Sequence, residues 1–169
     1  SRPTGLPEDP VQIFRLVADG GDPRTVYLLA QPQIGQTQLF RSEDGGLHFT
    51  GLATFASNAQ YGGAIGDDLW TSRIASGPLY LLLGNGRLLR SEDRGATFSP
   101  MAQVGAGDTD QAVFAGSEAG APTFYAFLGK DDGSWRVFAS DDGGKSWEER
   151  FSLDNIFYSG NSGIGTSTE

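Results

Sequence analysis

The 169-residue chain is 38% hydrophobic and 20% charged, enough apolar material for one folded domain and a composition unlike that of a disordered segment. Its net charge of −9 comes from 21 acids against 12 bases with no clustered lysines and arginines, which speaks against nucleic acid and anionic membrane as partners. The absence of cysteine removes disulfides and thiolate metal sites, and the single histidine, His48, removes any chemistry needing two imidazoles within the chain.

Twenty-five glycines are spread along the whole length, and apolar residues fall in short runs without helical periodicity, so the chain reads as all-β. Taken in order, strands are predicted at VQIFRLVA (11–18), TVYLLA (25–30) and TQLFRS (37–42). SEDGGLHF (42–49) and a weaker strand within HFTGLATF (48–55) follow. A long link, ATFASNAQYGGAIGDDLW (53–70), leads to LWTSRIA (69–75), LYLLLG (79–84) and GRLLRS (86–91). Between the last two, Asn85-Gly86 predicts a tight hairpin turn, because both residues tolerate positive φ. SEDRGATF (91–98) comes next, then QAVFAG (111–116), TFYAFLG (123–129), WRVFAS (135–140), SDDGGKSW (140–147) and SWEERF (146–151). The longest apolar run, LYLLL (79–83), is far too short to cross a bilayer, so no membrane insertion is expected.

Three of these segments share the form Ser-x-Asp-x-Gly-x-x-aromatic, and their serines, Ser42, Ser91 and Ser140, are 49 residues apart. Four short strands per period of this length predict the blades of a β-propeller, here about 11–53, 68–102 and 111–153, with a fourth beginning near 155. Closed rings typically hold about four to eight blades. Completion is therefore expected from further blades of a longer polypeptide or, as the second choice, from another copy of the chain. The first residue is Ser1 rather than methionine and no signal peptide is visible, which reads as a processed or excised piece of an extracytoplasmic or secreted protein.

The boxes have a physical logic. Asp44, Asp93 and Asp142 are short acceptors for the amides of a sharp turn, and Ser42, Ser91 and Ser140 add a hydroxyl. Gly46, Gly95 and Gly144 can take positive φ without penalty. Phe49, Phe98 and Trp147 can lodge between sheets, each worth roughly 1.5–3 kcal/mol when fully buried. The motif resembles the Asp-box, or bacterial neuraminidase repeat, of sialidases, xyloglucan-degrading propellers, sortilin-type receptors and a photosystem II assembly factor. GDPRTVYLLA…LFRSEDGGLHF (22–49) is close to the generic repeat of that superfamily. The resemblance implies that the boxes lie on the outer rim and that ligands bind on the opposite face. It specifies architecture far better than activity.

Candidate chemistry is sparse. FRLV (14–17) is similar to the Phe/Tyr-Arg-Ile-Pro motif of sialidases and would make Arg15 a carboxylate ligand, although the proline is missing. Asp67 and Asp68 in one link, with Asp108 and Asp110 in the next, are candidates for the paired acids of glycoside hydrolysis. Asn58, Gln60 and Tyr61 in the longest link are candidates for contact with a sugar or peptide. Neither KDDGSW (130–135) nor GDTD (107–110) has calcium-loop spacing, so no metal and no cofactor is expected. The chain by itself reads as a non-catalytic recognition or scaffold module for glycan or protein. The alternatives are part of a secreted glycoside hydrolase and a protein assembly or sorting factor.

Overall fold

The computed structural model describes residues 3–8, 12–56, 67–74, 77–105, 111–117, 123–130 and 133–154. They form twelve strands: β1 (Gln12–Ala18), β2 (Val26–Gln33), β3 (Gln36–Ser42), β4 (Thr50–Ala56), β5 (Asp68–Thr71), β6 (Leu79–Leu82), β7 (Leu88–Ser91), β8 (Ser99–Pro100), β9 (Gln111–Ser117), β10 (Thr123–Gly129), β11 (Trp135–Ser140) and β12 (Glu148–Leu153). Consecutive strands pair antiparallel in three separate four-stranded sheets, β1–β4, β5–β8 and β9–β12. The all-β expectation holds, and no helix among the described residues is long and apolar enough to cross a membrane.

The second strands of the first two sheets are apolar on both sides because both of their faces are covered. In β2, Tyr27 and Leu29 face the second sheet, where they pack with Leu69, Leu79, Leu81, Leu83 and Leu89. Leu28 and Ala30 point the other way, onto Phe40, Phe49 and Leu6. The second sheet buries Tyr80, Leu82 and Leu88 against Phe114, Phe124, Ala126, Leu128 and Phe138 of the third. The first strands of neighbouring sheets, β1, β5 and β9, adjoin one another. They form the inner side of the array, and the fourth strands lie at the outer side.

Three local features differ from the sequence reading. β2 and β3 extend into the predicted QPQIGQ link and turn at Ile34-Gly35. Pro32 is tolerated in this middle strand because the ladder to β3 shifts register between Ala30 and Gln33, where no amide donor is required. The fourth strand of the second sheet is cut to two residues. Its path continues as single bonds from the Met101 amide to the Leu88 carbonyl and from the Val104 amide to the Gly86 carbonyl, both 2.9 Å. Finally, residues 3–8 form a strap along the first box. Thr4 bridges His48, with its amide on the Leu47 carbonyl and its own carbonyl accepting the Phe49 amide. The predicted start of a further strand at 155 lies outside the described residues.

Candidate functional site

The box turns are built alike. In each, the serine hydroxyl donates to the aspartate Oδ1 at 2.7–2.8 Å and accepts the amide of the glycine four residues on at 2.8–2.9 Å. The same Oδ1 accepts amides further round the turn: Leu47 and His48 on Asp44, Thr97 on Asp93, Lys145 and Ser146 on Asp142. Oδ2 is held by the side chain of the seventh box residue, which is His48, Thr97 or Ser146. Gly46, Gly95 and Gly144 have φ of 85–91°, the left-handed region the sequence reading assigned to them.

These bonds stabilise the ionised carboxylates. The Thr97 hydroxyl and amide and the Ser91 hydroxyl hold Asp93 down to about 2 from the usual 3.8. Asp44, held first by the His48 amide, and Asp142, held first by the Ser146 hydroxyl, lie lower still. A depressed pKa here reflects a satisfied turn.

The fourth box position was missed by sequence reasoning. It too is left-handed, with φ of 76° at Gly45 and 75° at Gly143, and Arg94 adopts 58° in the same place. The Arg94 side chain reaches back to the first sheet, donating to the Thr25 hydroxyl at 2.9 Å and pairing with Glu43 at 3.2 Å. Its carbonyl accepts from Arg41 Nη1 at 3.0 Å. The one departure from glycine thus serves as a clasp between sheets. The signal was in the sequence as an arginine where the other two boxes have glycine.

Asp67 and Asp68 do not line a groove. Both are buried at the start of β5. Asp67 accepts the Thr37 hydroxyl from the first sheet and, at 2.7 Å, the Gly84 amide. Asp68 joins all three sheets: Oδ1 accepts the Leu69 amide at 2.9 Å and Arg15 Nε at 3.3 Å, and Oδ2 accepts the Phe114 amide at 2.8 Å. Burial pushes the Asp68 carboxyl up despite those donors. Arg15, a candidate carboxylate ligand, thus already holds a carboxylate of its own chain, with half of its side chain exposed. Asp108 and Asp110, like Asn58, Gln60 and Tyr61, lie outside the described residues. No group of three or more potential metal-ligating His, Cys, Asp or Glu side chains occurs among the described residues.

No protein-family model matches the chain, and no curated protein matches it. Among solved structures it is similar to a GH74 enzyme from Niastella koreensis, with a TM-score of 0.57 and 22% identity over 82% of this chain. That enzyme has a propeller fold built from sheets of this kind. The three sheets are propeller blades. The chain spans 22% of the length of the GH74 enzyme. Lower similarity extends to YCF48 bound to D1 peptide (TM-score 0.49, 14% identity, 88% of this chain and 46% of that one). YCF48 from Cyanidioschyzon merolae follows (TM-score 0.44, 13% identity, 85% and 57%).

In this frame β1, β5 and β9 are the inner strands of blades one to three. The boxes join the third and fourth strands at one end of each blade. The turns at Ile34-Gly35, Asn85-Gly86 and Lys130–Ser134 join the second and third strands at the other end. Every box side chain that forms these bonds is committed to its own turn, so an arriving ligand would meet donors and acceptors already in use.

Proposed function

We propose that the chain is a non-catalytic recognition or scaffold module of Asp-box propeller type, binding glycan or protein on the face opposite the boxes. The observation that carries this reading is the commitment of the described candidate acids, Asp67 and Asp68, and of the structural box aspartates. Asp67 and Asp68 link blades, and Asp44, Asp93 and Asp142 close turns. An acid or nucleophile in glycoside hydrolysis must reach the scissile bond with a free oxygen. A carboxylate whose two oxygens already accept hydroxyls and amides of neighbouring strands and turns meets that need poorly. The face opposite the boxes instead offers the β2–β3 turn with exposed Ile34, while Asn58, Gln60, Tyr61, Asp108 and Asp110, the sequence's candidates for ligand contact, lie outside the described residues. Amides and an aromatic ring suit sugar faces and peptide backbones alike.

The test is titration of the chain with xylo- and cello-oligosaccharides and sialosides, read by calorimetry and by hydrolysis. Binding that weakens in Tyr61→Ala without any turnover supports the proposal. Hydrolysis abolished by Asp67→Asn or Asp108→Asn with the circular dichroism unchanged would overturn it and favour the glycoside hydrolase alternative.

A further inference from the structure

The ladders align the three blades residue by residue. Tyr27 stands opposite Arg41, Tyr80 opposite Arg90 and Tyr125 opposite Ala139, each one step from the box serine. Leu29, Leu82 and Phe127 occupy the next position on the same face. In blades one and two this face is covered by the following blade, and the tyrosines are 0% and 4% exposed. On blade three Tyr125 is 47% exposed, and Phe127, Phe151 and Leu153 beside it are also open. The face carries the same apolar pattern without its cover.

The other end of the array mirrors it. Leu16 pairs with Leu28 as Leu69 pairs with Leu81 and Phe114 with Ala126, so these three are equivalent on the opposite face of their blades. Leu69 and Phe114 are buried against the preceding blade, at 1% and 3% exposure, whereas Leu16 is 60% exposed and Ile13 beside it is open too. One chain therefore carries both halves of an interface that it already forms twice internally. The 3–8 strap covers only the outer part of the first blade's free face, where Leu6 packs on Leu28, Ala30, Phe40 and Phe49.

We infer that the open face of blade three is an interaction surface for a second copy of this chain, seated on that copy's blade one as blade two sits on blade three. The contact is head to tail, and the three described blades of each of two chains close it as a six-bladed ring, within the range of about four to eight. The strap competes for the same seat. The new seam lacks the Arg94 clasp of the seam between blades one and two, because Gly45 stands where blade two carries Arg94; the counterpart of Glu43 is Asp141, which pairs with Arg150 of its own chain at 3.6 Å.

Sedimentation equilibrium of the full chain at micromolar to near-millimolar concentration tests this. A reversible dimer is expected. Tyr125→Glu with Phe127→Glu should weaken it by about tenfold or more, since both side chains are central to the seam. These residues are exposed in the single chain, so circular dichroism should be unchanged. Leu6→Ala should strengthen the dimer by loosening the strap, and Gly45→Arg should strengthen it up to about fivefold by supplying the missing clasp. A chain that stays monomeric even as Leu6→Ala overturns the inference and leaves the face to a blade from a longer polypeptide. A dimer indifferent to Tyr125 and Phe127, or an open ladder of larger species, overturns it as well.

Discussion

Arg94 sets two opposing terms against each other, and their balance can be measured. A residue with a Cβ at φ of 58° stands in the left-handed region, at a cost of about 1–2 kcal/mol relative to glycine. Against this, the guanidinium donates to a Thr25 hydroxyl buried at the blade seam, a charge-assisted bond worth about 1.5–3 kcal/mol. The pair with exposed Glu43 adds at most about 1 kcal/mol. Arg94→Ala keeps the strain and loses the contacts, so it should destabilise by about 2 kcal/mol. Arg94→Gly loses the same contacts but regains about 1 kcal/mol, after glycine's greater freedom in the unfolded chain is set against the relieved strain. At roughly 2–4 °C per kcal/mol for a chain of this size, Tm should fall by about 4–8 °C for alanine and about half that for glycine. Differential scanning calorimetry on the two variants and on Glu43→Gln closes the cycle. If the alanine variant is as stable as the parent, the clasp contributes nothing. If glycine is no better than alanine, the strain argument fails.

The box carboxylates predict a specific acid limb. A carboxylate whose folded pKa is depressed stabilises the fold above its unfolded value and loses that contribution as pH falls through its folded value. For Asp93 that window runs from about 3.8 down to about 2, and for Asp44 and Asp142 it extends lower. Asp68 acts in the opposite sense, since its raised pKa makes protonation relatively favourable to the folded state. Thermal melts between pH 5 and 2 should therefore show the difference between the parent and Asp93→Asn shrinking below pH 4, and a constant difference would refute the assignment. Ser91→Ala removes the acceptor of the buried Gly95 amide and should cost about 1–3 kcal/mol by urea denaturation. A cost below about 0.5 kcal/mol would mean that the turn closes through Asp93 alone.

The repeat made the blades legible because it records a turn, and a turn is local chemistry. Ser91, Asp93 and Gly95 lie within five residues, and each supplies a group whose role follows from its own atoms. Asp67 and Asp68 were misleading for the converse reason. Their partners Thr37, Gly84, Arg15 and Phe114 are 15 or more residues away, so composition shows only two acids beside a glycine. Side by side in a link, they looked like solvent-facing groups. Because the inner strand begins one residue earlier than predicted, Asp68 opens it, Asp67 directly precedes it, and both are buried acceptors. The strap was equally invisible, since Leu6 gains meaning only when Leu28 and Phe40 from two different strands present a free face beside it. Arg94 lay between these cases: its irregularity could be read in the repeat, but its target, Thr25, could not.

The two internal seams share one geometry but rely on different chemistry. Blades one and two meet mainly through leucines, Leu29 and Leu39 against Leu69, Leu79, Leu81 and Leu89, with the edge-on pair Phe55 and Phe98 at 5.2 Å packed against them. Aliphatic surfaces of this kind are attractive over a range of relative positions, because burial depends on area and hardly on direction. At this seam the directional bonds are concentrated: Thr37 to Asp67, Arg15 to Asp68, the Thr71 hydroxyl to the Ala18 carbonyl at 3.2 Å, and the Arg94 clasp. Blades two and three instead meet through rings, with Trp70, Tyr80, Phe114 and Phe124 at centroid separations of 4.8–6.5 Å and tilted or edge-on planes. Aromatic pairs carry their own orientation preference, each worth about 0.5–1.5 kcal/mol beyond buried area. That seam therefore has directional constraint within its apolar core, and the Asp68 bond to the Phe114 amide adds a polar link. The two irregular features of the sequence, an arginine in a glycine position and a pair of acids in the second repeat, thus fall where a leucine seam most needs fixed register.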